Sequence, residues 1–191
     1  MEGIKVHLTG VAGETALSLP ADAEEARAAL RLIGAQDGGC RITACESGIC
    51  VKLDETIIGA DLNTANYLAA RLAELSPEQT ERLAALMENI PSLVSTAAQA
   101  IDYTYNTETY DLFTKVYTAE DLALHYINDS GLIEIPPEWA EGIDLKRFGK
   151  NLEKHEVGLY TTRGYLIETG LEWKTAFEAG GEVPPEYRIT A

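Results

Sequence analysis

The sequence predicts an α+β protein made of three small units in series. Three observations carry this. Residues 4–9 and 15–19 alternate loosely around Gly10 and Gly13, and residues 40–53 read as a further hairpin. Residues 61–102 follow a helical period and contain helix-start signatures. Residues 102–170 mix short strands with capped helices. The expected domains are 1–60 (small β-sheet with helix), 61–101 (short helical bundle) and 102–170 (small β-sheet with helices), followed by a tail over 171–191.

Residues 4–9 (IKVHLT) and 15–19 (TALSL), separated by Gly10 and Gly13, read as a hairpin. Pro20 and Asp22 open a helix anchored by Leu30 and Ile33 and stopped at Gly34. Residues 40–53 (CRITACESGICVKL) read as a second hairpin around Ser47-Gly48, which completes a ββαβ-type domain. Residues 61–75 place Leu62, Tyr67, Leu68, Leu72 and Leu75 at helical spacing. Ser76-Pro77-Glu78-Gln79 starts the next helix, to about residue 88, with Ser76 as cap and Gln79 reaching back. Its inward residues are Leu83, Leu86 and Met87. Pro91 ends that helix, and Ser92 is expected to cap another running to residue 102.

In the third unit, residues 110–117 form a short strand or irregular segment. Thr118 caps a helix with Asp121 at its third position, ending near residue 129 before Gly131. Residues 132–135 read as a strand, and Pro136-Pro137 starts a helical turn carrying Trp139. Asp144 caps a helix expected to reach residue 156, where Lys146, Arg147, Lys150 and Lys154 form the basic cluster of the chain. Thr162-Arg163-Gly164 joins residues 159–161 and 165–167 as a hairpin.

The formal net charge of the 191 residues is −16. Seventeen acidic and three basic residues (Arg71, Arg82, Lys115) lie between Leu53 and Leu145, a net of −14. Duplex DNA is bound by cations that neutralise phosphates, so direct nucleic-acid binding is excluded and a basic partner is favoured. There is no long apolar run for a membrane span, and MEGIKVHLTG lacks a signal peptide's apolar core, so a cytoplasmic protein is expected.

Catalytic signatures are missing. There is no GxxxxGK[ST], GxGxxG or HExxH. His7, His125 and His155 fall in three different elements. Cys40, Cys45 and Cys50 are spaced by five, which sends strand neighbours to opposite faces and argues against a metal site. The sequence therefore predicts neither an enzyme nor a cofactor.

Five tyrosines and a phenylalanine stand among carboxylates in residues 101–127 (IDYTYNTETYDLFTKVYTAEDLALHYI). LNTANYLAARLAEL, SPEQTERLAALMEN, AIDYTYNTETYDLF, AEDLALHYI, GLIEIPPEWAEGIDLKRFG and YTTRGYLIE follow in order around it. This succession resembles the ArdA family of antirestriction proteins of phages and conjugative elements, mainly over residues 61–167. The first 60 residues match only in outline, through LPADAEEARAALRLIG and a short strand pair. Gly149-Lys150-Asn151 departs from the family's Gly-Arg-Asp, and Lys146 and Arg147 stand where acidic or neutral residues are common.

The resemblance implies an elongated monomer of three small domains that dimerises through the third, in the host cytoplasm. It implies that surface carboxylates imitate B-DNA phosphates and occupy the DNA groove of type I restriction–modification enzymes, at the methyltransferase and specificity core. The candidate phosphate mimics are Asp54, Glu55, Asp61, Glu74, Glu78, Glu81, Glu88, Asp102, Glu108, Asp111, Glu120, Asp121, Asp129, Glu134, Glu138, Glu141 and Asp144. The candidate dimer residues are Tyr105, Tyr110, Phe113, Tyr117 and Tyr126. The alternatives are an acidic inhibitor or adaptor of another DNA-binding partner, such as a CRISPR effector, and a hydrolase using a carboxylate pair or the thiols. The hydrolase would be abolished by one change such as Cys45→Ser, whereas a mimic loses function gradually.

Overall fold

The computed structural model describes residues 3–35, 39–48, 53, 61–131, 135–140 and 142–190. The chain divides into two compact units. Unit 1 comprises residues 1–107 together with 173–191, and unit 2 comprises residues 108–172. The segments expected as the first two domains both lie in unit 1, and so does most of the expected tail.

Unit 1 begins with strands β1 (Ile4–Gly10) and β2 (Gly13–Leu19), paired antiparallel with Val6 opposite Leu17. Strand β3 (Arg41–Ser47) pairs on the other side of β1, giving the order β2-β1-β3. The period of two sends Ile4, Val6 and Leu8 inward. Helix α1 (Ala23–Leu32) adds Ala26, Ala29 and Leu30 to the buried residues of this unit, and Ile33 follows it. Asp22 and Glu25 form the capping box of α1, and Gly34 ends the helix region in the left-handed conformation at φ 67°. The second strand expected after Ser47-Gly48 lies mostly outside the described residues.

Three helices follow: α2 (Leu62–Ala73), α3 (Pro77–Asn89) and α4 (Ala97–Thr104). Asp61 caps α2, and Ser76 with Gln79 forms the capping box of α3. Helix α4 starts four residues later than expected. Thr96 caps it, and Gln99 reaches back to Ser95, while residues 91–93 form a turn. The Thr96 hydroxyl accepts from the Gln99 N–H, the N-cap bond that starts the helix there. Leu62, Leu68, Leu72, Leu83, Leu86 and Ile101 are buried as the period requires.

Unit 2 holds a second antiparallel sheet of β4 (Tyr110–Phe113), β5 (Gly158–Thr161) and β6 (Gly164–Glu168), in the order β4-β6-β5. Helix α5 (Ala119–Leu124) is capped by Thr118 and widens into a π turn over His125–Asp129 instead of continuing as a regular helix. The short helix α6 (Pro137–Ala140) leaves Trp139 69% exposed. The strand expected at 132–135 falls on residues that, apart from Ile135, are outside the described set, and Ile135 is not in a strand. Helix α7 (Leu145–Leu152) ends earlier than expected, and the chain turns through bonds from Lys154 to Asn151 and from His155 to Leu152. The core is Val116, Leu122 and Tyr165, with Phe113, Tyr126, Leu152, Tyr160 and Ile167 packed against it.

Helices α5 and α7 touch at Gly149. A Cβ built there would lie 1.7 Å from the carbonyl oxygen of Ala119, a contact with backbone that no rotamer change relieves. Gly149→Ala is expected to destabilise unit 2 by about 1–3 kcal/mol or more, the scale of core overpacking. Urea unfolding checks this, with an unchanged midpoint as the contrary outcome.

Candidate functional site

The acidic residues do three different jobs. Asp61, Asp121 and Asp144 work at helix starts, where a carboxylate accepts orphan N–H groups and faces the positive end of the helix. Hydrogen bonds from the Thr118 hydroxyl and the Tyr117 N–H hold the Asp121 carboxyl below its ordinary pKa. Glu74 pairs with Arg71, and Asp129 lies 3.5 Å from the His125 ring. Glu78, Glu88, Glu108, Glu120 and Glu138 are exposed, and Glu81 and Asp111 are half-buried. Asp54, Glu55, Glu134 and Glu141 lie outside the described residues.

Asp102 departs from the expected surface role. It is 1% exposed on α4, and its carboxylate accepts backbone N–H bonds from Ala176, Phe177 and Glu178 at 2.9, 2.5 and 3.0 Å. It belongs to the interior because α4 is buried over all of residues 100–104.

Two of the three cations of the acidic block reach backbone carbonyls, Arg71 while also pairing with Glu74. Arg71 donates to the Thr104 hydroxyl at 3.1 Å and to its carbonyl at 3.4 Å, and its guanidinium lies 4.3 Å from the Tyr105 ring centre. Arg82 donates to the Thr107 carbonyl. Both guanidiniums therefore serve carbonyls at and just beyond the end of α4, where cations are favoured.

The expected dimer residues are distributed across both units. Tyr105, in unit 1, is 51% exposed and shares a hydrogen bond with Tyr67. Tyr117 in unit 2 is also 51% exposed. Tyr110 donates to Glu168 at 3.2 Å and Tyr126 to Glu156 at 2.6 Å. The Phe113 ring lies 4.0 Å from that of His125. Phe113, Lys115, His125, Tyr126, Asp111 and Asp129 line a groove of about 670 Å³ beside the π turn. Lys115 there takes the left-handed conformation at φ 71°, which costs a non-glycine residue on the order of 1 kcal/mol. No period or propensity in the sequence announced this groove.

Tyr126, Tyr160 and Tyr165 share an acidic neighbourhood. Burial, then the carboxylates of Glu156 or Glu153, push all three phenols well above their ordinary range. The remaining chemistry-bearing residues do not converge. His7 bonds Glu46 at 2.8 Å across the first sheet, His125 sits in the π turn and His155 is exposed. Cys40 precedes β3, Cys45 lies within it, and Cys50 is outside the described residues. Among the described residues, no group of three or more His, Cys, Asp or Glu could hold a metal ion. No helix among them is long and apolar enough to cross a membrane.

The fold is α+β, and a family model described as antirestriction protein (ArdA) matches residues 8–167, which places the chain among antirestriction proteins. The chain belongs to the ArdA family. Its function is therefore antirestriction, exercised on restriction–modification enzymes as an inhibitor. A search of curated proteins returned no match.

The three tyrosines give a pH test. A phenol whose folded pKa is raised above its ordinary value of 10.0 contributes stability that is complete below about pH 10. That stability falls as pH rises toward the folded values. Thermal unfolding above pH 10 is expected to show a falling Tm, with a smaller fall in Tyr126→Phe and Tyr160→Phe. The share of tyrosinate absorbance that Tyr126→Phe or Tyr160→Phe removes should appear only with unfolding, and its appearance in the folded protein at pH 10 would contradict the assignment.

Proposed function

We propose that the protein acts as a decoy for B-DNA, occupying the DNA groove of a type I restriction–modification enzyme at its methyltransferase and specificity core. One observation carries the reading. Between Leu53 and Leu145 seventeen acidic residues stand against three basic ones, and Glu78, Glu120 and Glu138 are exposed while Arg71 is shared between Glu74 and Thr104. The excess negative charge of the block is thus carried on the surface.

The magnitudes are compatible. Duplex DNA carries one charge per ~1.7 Å of axis, so a net of −13 once the buried Asp102 is set aside corresponds to roughly 22 Å, or about 6–7 base pairs. Carboxylates three or four residues apart on a helix have Cβ atoms ~5–6 Å apart, close to the phosphate spacing along a strand. A homodimer doubles the total. We place the dimer contact on unit 2, where Tyr117 and Trp139 are exposed and the π-turn groove opens. Each partner then supplies one acidic block.

An acidic inhibitor of another DNA-binding enzyme, such as a CRISPR effector, would present the same surface. Restriction and methylation assays with purified type I enzyme separate the two readings. The type I reading expects both activities to be inhibited without any single residue being essential. The triple change Glu78→Gln, Glu120→Gln, Glu138→Gln removes three exposed charges and leaves the caps intact. Exposed charge pairs are worth ~0.2–1 kcal/mol, so each change should weaken inhibition by about 1.4- to 5-fold. Inhibition unaltered in the triple variant, or abolished by any one change, contradicts a distributed electrostatic surface.

Light scattering is expected to give about twice the 20.8 kDa chain mass, and Tyr117→Lys should shift it toward the monomer. A monomer at all concentrations contradicts the dimer.

A further inference from the structure

Residues 173–190 lie beyond the span matched by the family model, yet they are built into unit 1 in detail. Four polar side chains on or just after α2 and α4 are aimed at the main chain of this segment. Asp102 collects three consecutive N–H groups, as described above. Asn106 pairs with Lys174 in both directions, accepting its N–H and donating to its carbonyl, each at 2.8 Å. Asn63 accepts from the N–H groups of Ile189 and Thr190 at 2.8 and 2.9 Å. Asn66, 2% exposed, donates to the Tyr187 carbonyl at 3.0 Å while its remaining bonds hold Ala21.

Aromatic anchors accompany these bonds. The Tyr67 ring lies 5.7 Å from that of Phe177 and 4.9 Å from that of Tyr187, and Tyr103 lies 6.4 Å from Trp173. Val183 and Ile189 are buried. Apart from one 3-10 turn (Pro185–Tyr187), the segment has no regular structure of its own, so its order comes from the surface it lies on. Main-chain hydrogen bonds for affinity and side-chain pockets for selectivity are the physics of peptide recognition. Asp102 also has to be covered, because a buried carboxylate without its donors is costly.

We propose that α2 and α4 form a peptide-binding groove whose ligand is the chain's own segment 173–190, and that the groove retains this segment without a covalent link. The segment is then a strap that closes unit 1 after unit 2 has been inserted between residues 107 and 173. Its removal would uncover Asp102, Asn66 and Tyr67 together.

The test cuts the strap free in the folded full-length chain. A protease recognition sequence is inserted at Gly170-Leu171, an exposed point where Gly170 has open space around it. After cleavage, the C-terminal fragment is expected to co-elute with the body at low micromolar concentration. A labelled synthetic peptide of residues 173–191 should exchange into the groove, and Asp102→Ala should weaken its binding at least tenfold. Separation of the fragment from the body, or full peptide affinity in the Asp102→Ala chain, overturns the proposal. Hydrogen exchange on the uncut chain gives a second reading. The amides of Ala176, Phe177 and Glu178 are expected to be protected, with protection falling at least tenfold in Asp102→Ala. Unprotected amides in the unaltered chain would also overturn it.

Discussion

A net of −14 between Leu53 and Leu145 is the constraint that every element of that stretch has to accommodate. Like charges crowded on small units repel one another and oppose compaction. The structure answers by finding local positive potential for some of the acids. Asp61, Asp121 and Asp144 sit at helix starts, where N–H groups and the helix dipole supply it. Asp102 goes further, taking its three donors from the backbone of a distant segment. The cations are handled in the complementary way, with Arg71 and Arg82 serving carbonyls at the end of α4. The remaining surface charge is what the proposed decoy would direct at a basic groove.

Unit 2 meets the same constraint differently. Its core places tyrosines next to glutamates, so Tyr126 donates to Glu156 and Tyr160 to Glu153. A phenol donor satisfies part of each half-buried carboxylate. Lys150 pairs with Glu153 from outside at 2.8 Å, and this pairing is the largest influence holding the Glu153 carboxyl below its ordinary pKa. The close contact at Gly149 brings α7 against α5.

Local signals were legible at three helix starts that one side chain and its neighbour three residues on decide, and were missed at Thr96 with Gln99. Asp22 with Glu25, Ser76 with Gln79 and Thr118 with Asp121 each start a helix at the expected place. The Thr162-Arg163 turn before Gly164 joins its strands as expected. Long-range partners were not legible. Asn63 and Asn66 look like ordinary polar positions on a helix, and their partners include main-chain groups more than a hundred residues away. Asp102 read as a surface acid because no period marks a helix buried on all sides. The π turn, the left-handed Lys115 and the groove beside them arise from packing and leave no pattern in composition. The acidic surface itself was visible as charge, although which carboxylates are free for a partner depended on the caps and pairs.

If the surface carboxylates act as a decoy for duplex, affinity for the enzyme has to respond to salt as duplex binding does. The most direct measurement is the dissociation constant for a purified type I methyltransferase core across a salt series, with DNA as competitor. The account predicts mutually exclusive binding of protein and DNA, with affinity falling at least about tenfold between 50 and 200 mM salt. Binding that is indifferent to salt, or that leaves DNA bound, would contradict it.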